Sequence, residues 1–117
     1  FVGGVDEVFK TLLVLVLADV VTGIARAAMQ GNIWSRRAFI GGLQKLMIFV
    51  AVGVATALDG YLGGPDDPAV LRTSVCAFYI AVEGISIIEN LGEMGVPVPE
   101  ALAQTLNKLR GGQGQGG

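Results

Sequence analysis

The sequence predicts an all-α integral membrane protein built from three hydrophobic helices and a short C-terminal amphipathic helix. Three observations carry that prediction. Over half of the 117 residues are apolar and only 15% are charged, with a mean hydropathy of +0.63; soluble domains carry about 25% charged residues. Three apolar runs each reach the roughly 20 residues that a bilayer-spanning helix needs. Glycine-, proline- and asparagine-bearing breaks separate them.

The first helix is expected over about residues 8–29, VFKTLLVLVLADVVTGIARAAM. Asp19 and Arg26 interrupt it. They share one face with Thr22, and Gly23 lies beside them. Asp19 and Arg26 stand about 10 Å apart along the axis, too far to pair within one straight helix. Their partners must come from other helices or other copies; alternatively Arg26 snorkels to the interface and Asp19 alone is buried. In the following QGNIWSRRAFIGG, Gly31, Asn32 and Gly41–Gly42 break the pattern, and Ser35 is placed to cap a short helix through Phe39 and Ile40. Trp34 beside Arg36 and Arg37 suits a membrane interface.

The second helix is expected over about residues 43–62, with no charge between Leu46 and Leu58. Ala51, Gly53, Ala55 and Ala57 form overlapping small-residue pairs at 51/55 and 53/57, which let helices approach closely in lipid. GGPDDP at 63–68 is a turn, with Asp67 and Pro68 suited to start the next helix.

The third helix, expected over about residues 70–91, carries Arg72, Cys76, Tyr79, Glu83, Ser86 and Asn90 at spacings of 4, 3, 4, 3 and 4. On a helix they form one continuous polar stripe. A charge at the bilayer centre costs about 2.5–3.5 kcal/mol on insertion scales, so the stripes around Asp19 and Glu83 should face protein or water. Glu83, with Ser86 and Asn90, either lines a pore or subunit contact or fixes packing within the chain's own bundle. Glu100 to Arg110 fits a short amphipathic helix with Leu102, Leu106 and Leu109 on one face, and residues 111–117 read as a flexible Gly/Gln-rich tail. Residues 1–110 make a single domain. Two helices with polar faces and one with small-residue faces suit an oligomer.

The same residues exclude several functions. The formal charge is −2 and no basic cluster exceeds Arg36–Arg37, so nucleic acid is not an expected partner. With no His and the single Cys76, neither an intrachain disulfide nor a His/Cys metal site is expected. No cofactor is implied, and no nucleophile–base pair or phosphate loop suggests an enzyme. No signal peptide is expected, since acidic residues precede the first apolar run. Arg26, Arg36, Arg37 and Lys45 flank the first connection, while the second has Arg72 against Asp59, Asp66 and Asp67. The positive-inside rule then places the N-terminus outside and the C-terminus, with Lys108 and Arg110, in the cytoplasm.

LADVVTG (17–23) and LRTSVCAFYIAVEGISIIENLGEMGVPVPEALAQTL (71–106) resemble the toxin-secretion/phage-lysis holin family, the small holins of phages of Gram-positive bacteria. The resemblance covers nearly the whole chain. It implies a protein that gathers in the host bacterial cytoplasmic membrane, assembles with its own copies and opens a lesion. An endolysin, or in related systems a toxin, leaves through it as cargo without being specifically bound. An antiholin is the partner that such systems add. An antiholin-like regulator and a small defined channel are the alternative readings.

Overall fold

The computed structural model describes residues 2–31, 34–63 and 69–114. All regular structure among the described residues is helical: α1 Val2–Gln30, α2 Arg36–Leu62, α3 Val70–Glu93 and α4 Glu100–Gly114. The helix α3 is central, and α1, α2 and α4 each pack chiefly on it. The first three helices are long and apolar enough to cross a membrane.

The start of α2 and both ends of α3 have local causes. Ser35 adopts an extended backbone and its Oγ accepts the Ala38 N–H at 3.1 Å, capping α2. The sequence expects a short helix from Ser35 to Ile40 and a break at Gly41–Gly42; instead α2 runs unbroken through both glycines, seven residues earlier than the expected start at 43. An interior glycine costs about 1 kcal/mol relative to alanine. A backbone group left unpaired in lipid costs several kcal/mol, so the helix continues.

Asp67 and Pro68 lie outside the described residues. The side chain that meets the start of α3 is Asp59 of α2: its carboxylate accepts the Leu71 N–H at 3.0 Å and the Arg72 N–H at 2.7 Å. A carboxylate on the orphan donors of a helix start is favoured by both hydrogen bonding and the helix dipole. This contact ties the end of α2 to the beginning of α3. At its other end α3 closes in a Schellman motif, with Gly95 at φ 85°, its N–H donating to the Gly92 carbonyl and the Val96 N–H donating to the Leu91 carbonyl. Pro97 and Pro99 then prevent continuation. The last helix reaches Gly114, four residues into the stretch that the sequence assigns to the tail.

A small apolar core joins the spans where Leu12 and Val16 of α1, Ile48 and Val52 of α2 and Cys76 of α3 are buried together. The rings of Phe9 and Phe49 meet edge to face beside it. Outside that core the surface is greasy. Val14, Leu17, Val21 and Ile24 on α1, and Leu46, Met47, Val50 and Val54 on α2, are all exposed. An apolar exterior around a chain with buried charges is the arrangement that a bilayer demands.

Candidate functional site

Among the described residues the buried polar side chains are Asp19, Glu83 and Asn90, each no more than 4% exposed. They come from α1 and α3, and α2 supplies their cation. Lys45 Nζ lies 2.8 Å from Asp19 Oδ2 and 3.4 Å from Glu83 Oε1. One ammonium therefore faces two carboxylates, and the three spans meet at a single ionic cluster. In a low dielectric such contacts are stronger than in water, and removing one partner leaves an uncompensated charge.

A hydrogen-bond network extends the cluster toward the α1–α2 connection. Ser86 Oγ donates to Asp19 Oδ1 at 2.8 Å. Asn90 Nδ2 donates to Asp19 Oδ1 and to Thr22 Oγ1, both at 2.9 Å. Thr22 Oγ1 donates in turn to the Ala18 carbonyl at 2.9 Å. The Asn90 amide oxygen accepts from Arg26 Nη1 at 2.7 Å. Arg26 Nε also lies 3.7 Å from Glu93 Oε1, and Gln30 Nε2 donates to the same oxygen at 3.2 Å. A Cβ at Gly23 would stand 3.7 Å from Asn90 Nδ2, an ordinary contact, so α1 and α3 lie close here.

Asp19, Thr22, Arg26, Glu83, Ser86 and Asn90 are thus brought together within one chain. Asp19 and Arg26 do take partners from other helices, on α2 and α3. Arg72 and Tyr79 lie further along the stripe. The Arg72 guanidinium sits 5.3 Å from the centre of the Phe9 ring, and Tyr79 packs at the edge of the apolar core. Of the small residues, Ala55 is buried and Ala51 half-buried, whereas Gly53 and Ala57 face outward. Trp34 is 96% exposed, and Arg36 and Arg37 are exposed beside it.

Lys45 corrects the expectation. The sequence groups it with the interface residues Trp34, Arg36 and Arg37, because it stands just after the first connection. With α2 beginning at Arg36, Lys45 lies nine residues inside the helix and points at α1 and α3. Asp59 and Glu93 also gain roles that the sequence does not single out. The available signal for Lys45 was the presence of two acidic residues on other spans with no basic residue at the same depth.

The chain is similar to known proteins along most of its length. The profile of the bacteriophage holin family matches residues 1–111. A "probable holin" of Bacillus phage phi105 is 37% identical over 84% of this chain and 70% of its own length. An uncharacterized protein of Halalkalibacterium halodurans is 43% identical over 86% of this chain and 76% of its own. One from Clostridium perfringens is 39% identical over 92% and 78%. No solved structure matches the chain.

Proposed function

This chain belongs to the bacteriophage holin family, and from that membership we propose that it gathers in the host bacterial cytoplasmic membrane, self-associates and opens a lesion that releases an endolysin. The observation that carries the proposal is the Asp19–Lys45–Glu83 cluster, with charges from all three spans closed inside an apolar exterior. Ionisable groups at this depth are costly and mark function by default. In the single chain the polar stripes of α1 and α3 face one another. In the lesion they turn toward water or toward the same residues of neighbouring copies. Asp19, Thr22, Arg26, Arg72, Tyr79, Glu83, Ser86 and Asn90 then line the opening or the subunit contacts.

Self-association runs along the outer face of α2. A Cβ built at Gly53 would have nothing within 4 Å, and Ala57 is exposed one turn on, so a second helix can approach closely there. Trp34, Arg36 and Arg37 anchor the α1–α2 connection at the cytoplasmic interface, which leaves the N-terminus outside and the C-terminus inside. The endolysin passes without a docking site, and no bond is made or broken. Residues 1–110 act as one unit.

Induced expression in a bacterium that also carries a cytoplasmic endolysin tests the proposal, with turbidity and membrane potential followed together. Abrupt lysis with depolarisation after a delay is expected. Depolarisation without enzyme release would favour a small channel. Stable membrane insertion without either effect would favour an antiholin-like restrainer.

A further inference from the structure

Between the C-terminal half of α1 and the N-terminal half of α2 lies an open groove of about 770 Å³. Its chemistry changes along its length. The end nearest the α1–α2 connection is lined by Arg26, Arg36 and Arg37, with Ser35 at the start of α2. Among the described residues, Arg36 and Arg37 form no ion pair, and Arg26 Nε is buried without a hydrogen-bond partner. Ser35 Oγ engages the Ala38 N–H, so the first two N–H groups of α2 remain directed out of the helix start. Val20 and Ile24 from α1 and Ile40 from α2, all three exposed, line its sides, and Asp19, Lys45, Ser86 and Asn90 of the ionic network line it as well. Gly41 and Gly42 keep the α2 wall open, since a Cβ at either would touch nothing within 4 Å.

We infer that this groove holds one anionic phospholipid, with its phosphate at Arg36, Arg37 and the start of α2 and the upper part of an acyl chain along Ile24 and Ile40. Two arginines and free backbone donors match phosphate geometry. A basic pocket between membrane helices is a recognised place for an anionic headgroup. Glu93 sits against Arg26 and leaves Arg36 and Arg37 as the unmatched charges, which favours a headgroup without its own cation. A small free anion would leave Ile24 and Ile40 uncovered; a lipid covers them. The site rests on the membrane location of the chain and is independent of lesion formation.

The test is native mass spectrometry of the purified full chain in detergent, with phosphatidylglycerol, phosphatidylcholine or inorganic phosphate added. One phosphatidylglycerol retained per chain, at least about tenfold more tightly than phosphatidylcholine, is the expected result. The double variant Arg36→Gln/Arg37→Gln should lose that preference, while Lys108→Gln/Arg110→Gln, with the same change in charge, should keep it. Gly42→Leu narrows the apolar part without altering charge and should also weaken retention. Equal retention of both lipids, indifference to Arg36→Gln/Arg37→Gln, or displacement by millimolar inorganic phosphate with Gly42→Leu silent would overturn the lipid site. Sedimentation with bacterial membranes is scored alongside. A chain that sediments but shows no lipid preference refutes the site and leaves the membrane reading intact. A chain that retains phosphatidylglycerol but does not sediment refutes the membrane reading, and the lipid site falls with it.

Discussion

Glu83 and Gly84 are adjacent in sequence and face different worlds. Glu83 turns toward α1 and α2, where Lys45 and Asp19 meet it. Gly84 turns toward α4, where a Cβ would lie 2.9 Å and 3.0 Å from the two methyl carbons of Leu106. One side of α3 is held by charge and hydrogen bonds, the other by close fit around a missing side chain. A bilayer treats the two differently. Low dielectric reinforces the ion pairs. The α4 contact gains little, because lipid is as apolar as leucine. The exposed Gln104, Asn107 and Lys108 of α4 sit alongside the middle of α3, where a cation facing lipid costs about 2.5–3.5 kcal/mol. The ionic face therefore binds the spans together, while α4 is the helix most easily detached.

The strongest way to break this contrast is Lys45→Met. It removes the cation between two carboxylates and should destabilise the three-helix unit by about 3 kcal/mol or more. Thermal unfolding in detergent, followed by circular dichroism, measures the loss; an unchanged midpoint would mean that the cluster carries no stability. Asn90→Leu comes next. It strips partners from Arg26, Asp19 and Thr22 together and should cost about 2 kcal/mol in the same assay. On the other face, Gly84→Ile should drive α4 off α3, seen as faster proteolysis after Pro99, with the midpoint for the spans nearly unmoved. Gly84→Ala should be close to neutral, because only the flexible end of Leu106 has to move. The smallest effect is expected from Asp59→Asn, which keeps one acceptor for the Leu71 and Arg72 N–H groups but loses its charge, about 0.5–1 kcal/mol. Amide hydrogen exchange at the start of α3 would report it.

Much of the ionic face was legible in the sequence. The 4-3-4-3-4 stripe on the third span and the Asp19–Thr22–Arg26 face on the first both read directly from helical spacing. The pairing between them was not legible, because Arg26 and Asn90 stand 64 residues apart and one sequence gives no distances. Lys45 was hidden by the boundary of α2: with the helix starting at 43, a lysine at 45 belongs at an interface. Two glycines that a soluble helix tolerates poorly concealed the true start. Asp59 was obscured by the nearby Asp66 and Asp67, any of which suits a helix cap. The docking of α4 carried still less signal. Its leucine face was visible, yet nothing marked Gly84 as the residue it meets, and the side chain of Leu109 lies outside the described residues.

The most direct test of the central claim, that the buried ionic face serves lysis, is lysis timing with Glu83→Leu beside the unaltered chain, in cells that carry a cytoplasmic endolysin. Both proteins are quantified in the membrane fraction at each time point. Equal insertion is expected, with abrupt lysis for the unaltered chain and abolished or badly delayed lysis for the variant. Equal insertion with unchanged timing would contradict that claim.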